Sequence, residues 1–261
     1  MAIRTTAIIN MKGGTAKTTT AINMAAILAK HYGKRVLLID ADSQCNTTEF
    51  FGTAPGYHNM ATILRECGTL EHPAGAAIMA IQTTEFPNVD LIPGDESLMD
   101  MDLSAVSAGL VDTNVLRHLV EEVRNAYDYV IIDCPPAFNA ASAAALVAAD
   151  DVVIPIKLDA FSLRGMTNLI RQVQNMKQIN PRLKVAGILP TMWYKSPEIQ
   201  DAEQQLRSAG LPVFHHIRRS DKVDRMTFRQ EALLISSPNS AAGVDYRTFV
   251  AEYVGGVQNG L

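Results

Sequence analysis

Residues 10–20, which read N-M-K-G-G-T-A-K-T-T-T, hold glycine, lysine and threonine at a spacing that suits phosphate chemistry. Gly13 and Gly14 let the backbone bend, so that successive N–H groups can point at one anion. Lys17 supplies a full positive charge for the outer phosphates of a nucleotide, and the Thr18 hydroxyl can ligate the magnesium ion that accompanies them. The segment therefore predicts a site for ATP with Mg²⁺.

The flanking sequence predicts the elements that such a loop needs. Ala7, Ile8 and Ile9 form an apolar, strand-like run, and residues 21–32 carry apolar side chains at helical spacing. A helix that starts directly after the loop directs the positive end of its dipole at the anion. The predicted ATP-binding residues are Lys12, Gly13, Gly14, Thr15, Ala16, Lys17, Thr18 and Thr19.

The loop departs from the usual pattern G-x-x-x-x-G-K-[ST], because Met11 and Ala16 replace two of its glycines. It resembles instead the deviant loop K-G-G-x-G-K-[ST] of the ParA/MinD family of ATPases, in which Lys12 matches the signature lysine. Ala16 departs even from that form. If this position requires a positive φ, alanine there costs roughly 1 kcal/mol or more, which would weaken ATP binding. A glycine-rich turn with chance lysines is the alternative interpretation of the segment.

Acidic residues follow two further apolar strands. Asp40 and Asp42 come after residues 36–39, where the carboxyl ends of parallel strands face a ligand crevice. Residues 40–46 resemble the family segment D-x-D-P-Q-G-N, with Ser43 and Cys45 as departures, and the resemblance implies that Asp42 positions the attacking water. A helix-capping acid is the alternative for Asp42. Asp133 ends the strand 129–133 in a Walker B arrangement, which predicts that it holds magnesium through a water.

Strand-like and helix-like segments alternate along the chain, which predicts a doubly wound, mostly parallel α/β sheet flanked by helices, in a single domain over residues 1–261. The remaining predicted strands are residues 89–93, 151–156, 185–190 and 213–217. The remaining predicted helices are residues 61–66, 112–126, 139–149, 162–180, 197–209 and 245–254, while residues 71–84 are of mixed character.

Charge is unevenly distributed along the chain. Residues 157–229 hold 13 lysines and arginines against 6 acids, whereas the whole chain has a net charge of −4. This basic part predicts a surface for the DNA backbone, and its alternative is a set of solvated charges that neighbouring acids cancel. The candidate DNA-binding residues are Lys195, Arg207, Arg218, Arg219, Lys222, Arg225 and Arg229.

The resemblance covers nearly the whole chain and is strongest for short ParA/Soj-type partition ATPases. It implies an ATP-dependent homodimer that binds double-stranded DNA without sequence preference. It also implies slow hydrolysis, stimulated by a centromere-binding ParB-like partner, in a cytoplasmic, nucleoid-associated protein. Lys12 and Asp42 would be catalytic, with Lys12 acting on the partner copy's phosphates. The resemblance also places Thr191, Met192 and Arg218 at the nucleotide.

Other functional classes fit the sequence less well. A MinD-like membrane ATPase would end in a basic amphipathic helix, which residues 253–261 do not provide, so we expect no membrane contact. Cys45, Cys67 and Cys134 form no C-x-x-C pair, which argues against a zinc or iron–sulfur site. A metabolic ligase would not need the basic part of the chain. A scaffold whose nucleotide binding is impaired by Ala16 stays open.

Overall fold

In the computed structural model, residues 3–66, 73–208 and 210–258 are described, and they form a seven-stranded sheet with helices on both faces. Cys67 and residues 71 and 72 lie outside this range. The strands are β1 (Arg4–Ile8), β2 (Val36–Asp40), β3 (Gln82–Thr83), β4 (Val89–Ile92), β5 (Tyr129–Asp133), β6 (Asp151–Lys157) and β7 (Lys184–Thr191).

The helices connect these strands and cover the sheet. The first six are α1 (Lys17–Tyr32), α2 (Asn46–Phe50), α3 (Met60–Glu66), α4 (Pro73–Ile78), α5 (Leu103–Ser107) and α6 (Val115–Val123). The others are α7 (Ala140–Ala148), α8 (Ala160–Met176), α9 (Pro197–Ser208), α10 (Asp221–Arg229), α11 (Leu233–Ser236) and α12 (Ala241–Gln258). A 3₁₀ turn, Glu96–Asp100, follows β4.

Among the described residues, the strand order is β3-β4-β2-β5-β1-β6-β7, and β3 pairs with β4 antiparallel while the other neighbouring strands pair parallel. The predicted fold class is therefore confirmed. β2 and β5 lie on one side of β1, and β6 lies on its other side. The order of the strands across the sheet therefore reverses at β1. In doubly wound sheets, ligands bind outside the carboxyl ends of the strands at such a reversal. The loop after β1 lies at this point.

Residues 213–217, predicted as a strand, form only isolated parallel bridges that join Ile188 to Val213 and Trp193 to Arg218. The physical reason lies in the neighbouring strand. The carbonyl of Pro190 in β7 accepts a bond from the Ile217 N–H. Because proline has no N–H group, Pro190 cannot donate a bond to residues 213–217. A regular ladder therefore does not form along this segment.

Each sheet face packs against its own helices. Ile8, Leu38 and Ile131 point toward α1 and α12, whereas Ala7, Ile39 and Ile132 point toward α6, α7 and α8. Successive residues of a strand point to opposite faces, which is why both faces of these central strands are apolar. α7 is alanine-rich and buried along its length. The result is a rigid frame beneath the loops that follow β1, β2 and β5.

Candidate nucleotide-binding site

The loop between β1 and α1 takes the bent form that the sequence predicts. Gly14 and Ala16 are both in the left-handed region, with φ values of 68° and 67°. Ala16 immediately precedes α1, and its carbonyl accepts the helical bond from the Thr20 N–H over 2.9 Å. The condition under which alanine strains this loop is therefore met, since its Cβ disfavours a left-handed backbone.

The side chains of Asn10 and Thr191 fix the loop. The Lys12 N–H donates to Oδ1 of Asn10 over 3.0 Å, and Nδ2 of Asn10 donates to the Pro155 carbonyl over 2.7 Å. The Thr191 hydroxyl at the end of β7 donates to the Thr15 carbonyl over 3.1 Å. These bonds tie the loop to β6 and β7, so its backbone is preorganised before any ligand arrives.

Lys17 is a buried cation at the first position of α1, with 7% of its surface exposed. Its Nζ lies 3.4 Å from the carbonyl oxygen of Lys12, so the side chain folds back beneath the loop. Burial lowers the pKa of Lys17, while the nearby Asp133, Asp42 and Cys134 oppose that shift. A buried ammonium group is costly unless an anion compensates it, which suits a site for phosphates.

Asp40 and Asp133 end neighbouring strands in matching register, and both are almost fully buried. Burial raises the pKa of each carboxyl above its usual value, and for Asp133 the charge of Asp40 adds to the shift. Thr48 donates both its N–H and its hydroxyl to Oδ2 of Asp40, over 2.8 and 2.7 Å. The Thr47 hydroxyl donates to Oδ2 of Asp133 over 2.8 Å.

Thr47, Thr48 and Gly94 support these carboxylates, and sequence reasoning assigned none of them a role. A Cβ atom at Gly94 would lie 3.1 Å from Cγ of Asp40 and 3.1 Å from the Asp42 carbonyl oxygen. The Gly94 N–H also donates to the Thr48 hydroxyl over 2.8 Å. The two threonines directly follow residues 40–46, which resemble the family motif, but only the fold shows which acid each one contacts.

The residues present suit a magnesium ion held with ATP. Oδ1 of Asp133 is buried and, within the described part of the chain, has no hydrogen-bond partner. The Thr18 hydroxyl lies close enough to this carboxyl to oppose the rise of its pKa. A carboxylate and a hydroxyl are the oxygen ligands, direct or through water, that Mg²⁺ accepts beside phosphates.

Asp42 sits on the turn between β2 and α2. Its carbonyl accepts from the Cys45 N–H over 3.0 Å, and its Oδ1 accepts from the Gln44 N–H over 3.1 Å. Cys45, which stands where the family segment has glycine, is left-handed with φ 53°. The turn directs the Asp42 carboxylate toward the crevice that also holds Lys17. The negative charge of Asp42 opposes the fall in the pKa of Lys17.

The basic part of the chain is partly neutralised in space. Arg218 makes a two-point ion pair with Asp245, Nε to Oδ2 and Nη2 to Oδ1, both over 2.8 Å. The remaining pairs found among the candidate DNA-binding residues are Arg207 with Glu203, and Lys222 and Arg225 with Asp221. Lys195, Arg219 and Arg229 are exposed. The placement of Arg218 at both nucleotide and DNA, and of Met192 at the nucleotide, stays a prediction.

Comparison with known proteins identifies the family. A family model described as an AAA domain matches residues 3–185. The chromosome partitioning protein ParA of Caulobacter vibrioides is 40% identical over 198 residues, covering 73% of this chain and 70% of that protein. The chain belongs to the ParA/MinD family. Within this family, the sporulation initiation inhibitor protein Soj of Bacillus subtilis is 33% identical over 236 residues, which is 89% of this chain and 87% of Soj.

Solved structures of two related proteins share the whole fold. Apo McdA of Cyanothece superposes with a TM-score of 0.82 at 25% identity and covers 97% of this chain and 100% of McdA. Cobyrinic acid a,c-diamide synthase of Mycobacterium smegmatis, with ADP and magnesium bound, has a TM-score of 0.79 at 27% identity. It covers 99% of this chain and 97% of that one. The Mycobacterium smegmatis structure holds the predicted ligand pair, nucleotide with Mg²⁺, in a homologue of this chain.

No helix within residues 3–66, 73–208 and 210–258 is both long and apolar enough to cross a membrane.

Proposed function

We propose that this chain is an ATP-dependent, dimerising ATPase of DNA partition. It binds ATP with magnesium, pairs with a second copy, and then holds double-stranded DNA without sequence preference. Hydrolysis is slow until a ParB-like centromere-binding protein stimulates it, in the cytoplasm and on the nucleoid. The observation that carries the proposal is the buried Lys17 ammonium, which faces Asp42 and Asp133 beneath a preorganised phosphate loop.

The chain's own residues bind and orient the nucleotide. The N–H groups of residues 13–19 and the first turn of α1 receive the phosphates, and Lys17 compensates their charge. Thr18 and Asp133, the latter through a water, would hold the magnesium ion. When bound, that ion neutralises charge on the outer phosphates. Thr47 fixes the Asp133 carboxylate so that its other oxygen stays available.

Two residues serve the hydrolytic step. Asp42, fixed by its turn, orients a water toward the γ-phosphate. Lys12 stands at the rim of the loop with 42% of its side chain exposed, so it is accessible to a second copy. A cation delivered by that copy stabilises the negative charge that develops in the transition state, as an arginine finger does. Hydrolysis and pairing are thereby coupled.

DNA contact falls to the basic part of the chain. Lys195, Arg219 and Arg229 are the exposed members with the strongest support, because several of the others already pair with acids. Phosphate contacts carry no base information, so binding of this kind tolerates any sequence and weakens steeply with salt.

The experiment is calorimetric titration of the protein with ATP and Mg²⁺, followed by light scattering to obtain the mass. The parent should bind ATP and double its mass. Lys17→Ala should lose binding, because it removes a desolvated charge that faces the phosphates. Lys30→Ala, at the far end of α1, is the matched control and should bind normally. Unchanged ATP affinity in Lys17→Ala would refute the site.

Ala16 favours a second candidate, a partition scaffold that binds nucleotide poorly. Its left-handed φ of 67° places strain in the phosphate loop itself. The same titration separates the two candidates. If the chain is such a scaffold, the parent protein should bind ATP negligibly, and Ala16→Gly should restore binding. Clear ATP binding by the parent excludes the scaffold.

A further inference from the structure

Large apolar side chains are exposed around the 3₁₀ turn and α5. Met99 and Leu110 are 67% and 66% exposed, and Leu103 is 42% exposed. α5, which begins at Leu103, buries none of its residues. Apolar side chains that stand in a polar surrounding typically mark a surface for another molecule.

The end of α5 shows that Leu110 is placed in solvent by a defined turn. Gly109 is left-handed with φ 72°, and its N–H donates to the Val106 carbonyl over 3.0 Å. The Leu110 N–H donates to the Ala105 carbonyl over 2.9 Å. In a helix end of this type, the residue after the glycine frequently packs against its own helix. Leu110 stays exposed instead, although its backbone is fixed beside α5.

The charge around these side chains has one sign. Residues 66–116 hold nine acids and no lysine or arginine, whereas the whole chain has 23 basic and 27 acidic residues. The acids nearest in sequence to the exposed apolar side chains are Asp95, Glu96, Asp100, Asp102 and Asp112. None of the ion pairs found within the described part of the chain involves these five acids.

This part of the chain adjoins the candidate nucleotide site. The 3₁₀ turn begins two residues after Gly94, whose N–H donates to the Thr48 hydroxyl and whose Cα lies against Asp40. The Met101 carbonyl accepts from the Ala140 N–H over 3.1 Å, at the start of α7. A molecule bound at α5 would therefore lie next to the loops that follow β2 and β4.

Charge decides what can cover the exposed apolar side chains. DNA phosphates and anionic lipid headgroups are repelled by the surrounding acids. A second copy related by a two-fold axis would bring the same acids face to face, which is also unfavourable. A partner that carries both apolar side chains and lysines or arginines complements the surface in both respects.

We propose that residues 95–112, the acidic apolar surface, bind a basic amphipathic helix of a partner protein. The apolar face of that helix covers Met99, Leu103 and Leu110, and its cations lie against the surrounding acids. A helix presents apolar side chains three and four residues apart, which suits a short apolar surface of this kind. Methionine adapts its shape to different partners, so Met99 is well suited to such a contact.

The test uses the full chain without nucleotide and a fluorescein-labelled peptide of leucine and lysine, about five helical turns long, with the leucines on one face. Fluorescence anisotropy measures the dissociation constant. The parent should bind this peptide but not the same peptide with glutamate in place of lysine. Met99→Gln with Leu110→Gln should weaken binding by about tenfold, because two apolar side chains are lost from the contact. Unchanged affinity in this variant would overturn the proposal.

A second pair of variants separates the surface from general charge. Glu96→Gln with Asp100→Asn should weaken peptide binding by about fivefold, because two charges are removed next to the apolar side chains. The charge-matched control is Glu121→Gln with Glu122→Gln, on the exposed side of α6, and should bind like the parent. An equal loss in both pairs would show that the peptide responds only to net charge, which also overturns the proposal.

Hydrogen exchange locates the bound peptide. It should slow exchange of the amides of residues 99–110 and leave those of α12 unchanged, and unprotected residues 99–110 would contradict the proposal. Analytical ultracentrifugation of the nucleotide-free parent should show no self-association through this surface. A parent dimer that Met99→Gln with Leu110→Gln abolishes would assign the surface to a second copy instead. None of these measurements uses ATP or DNA, so their outcome is independent of the proposed function.

Discussion

The Thr47 hydroxyl donates to Oδ2 of Asp133 over 2.8 Å, which joins the first turn of α2 to the end of β5. This bond occupies one carboxylate oxygen and leaves Oδ1 buried and without a partner among the described residues. We propose that Oδ1 faces the hydration shell of magnesium. The bond ties the segment that follows the Asp42 turn to the strand that carries Asp133.

Thr47→Val should therefore weaken magnesium-dependent ATP binding while the fold persists. Valine has the same shape but cannot donate a hydrogen bond, so Asp133 loses its orientation. Loss of such a supporting bond typically lowers metal affinity by about 10- to 100-fold. Magnesium titration at fixed ATP measures the change. The control is Thr53→Val. Among the bonds found, the Thr53 hydroxyl donates only to the Thr48 carbonyl, so its loss should leave the midpoint of the magnesium titration unchanged.

Ala16→Gly should stabilise the protein by about 1 kcal/mol and bind ATP at least as tightly, because glycine adopts a left-handed φ without strain. Gly14→Ala is the mirror experiment, since Gly14 has nearly the same φ, 68° against 67°. It should lose stability and ATP affinity. Thermal unfolding and calorimetry check both variants. A destabilised Ala16→Gly would show that the methyl group of Ala16 makes packing contacts that outweigh the strain.

Arg218→Gln should lower the free energy of unfolding by about 1–3 kcal/mol, because it removes the guanidinium that pairs with the buried Asp245 carboxylate. Burial raises the pKa of Asp245, but the hydrogen bonds and charge of Arg218 outweigh it and hold that pKa below its usual value. The stabilisation is thus present above the pKa of an unfolded aspartate, about 3.9. It disappears as the pH falls through the lowered folded pKa.

Denaturant titration between pH 7 and pH 2.5 measures this difference. Parent and Arg218→Gln should converge at the acidic end, once Asp245 is protonated in both. Arg219→Gln removes the adjacent arginine and should cost little at any pH, since Arg219 is exposed. Equal stability of parent and Arg218→Gln at pH 7 would show that Arg218 is free for a ligand.

The local features of the site are predictable from sequence, because short-range physics fixes them. Gly13, Gly14 and Lys17 follow a strand and open a helix, and Asp40 and Asp133 each end an apolar strand. These patterns place the loop and the acids at one sheet edge without knowledge of any contact. The positive φ at Ala16 also follows, since the matching family position is glycine.

What the sequence leaves open depends on partners that are distant in the chain. Asp159 meets Lys12 across 147 residues, and Asp245 meets Arg218 across 27. The charge count of residues 157–229 includes Arg218 but not its ion-pair partner Asp245, which lies beyond residue 229. The count therefore treats Arg218 as an uncompensated cation. The prediction of a strand at residues 213–217 is wrong for a similar reason. Pro190, in the neighbouring strand, lacks the N–H group that a regular ladder needs.

The exposed arginines give a prediction for DNA. Replacing Arg219 and Arg229 together by glutamine should lower affinity for duplex DNA and reduce the slope of log affinity against log salt by about 2. ATP hydrolysis should be unchanged, because neither side chain is part of the nucleotide site. The charge-matched control replaces Lys30 and Lys34, near the end of α1, by glutamine. An unchanged salt slope in the arginine variant would exclude this surface.

A duplex-DNA mobility shift with ATP, with ADP and without nucleotide tests most directly whether ATP switches DNA binding on. The parent should shift DNA of any sequence only with ATP and Mg²⁺. Lys12→Ala should fail to shift DNA even with ATP, because it cannot complete the dimer. Equal shifts under all three conditions, or a full shift by Lys12→Ala, would contradict an ATP switch that acts through Lys12 and the phosphate loop.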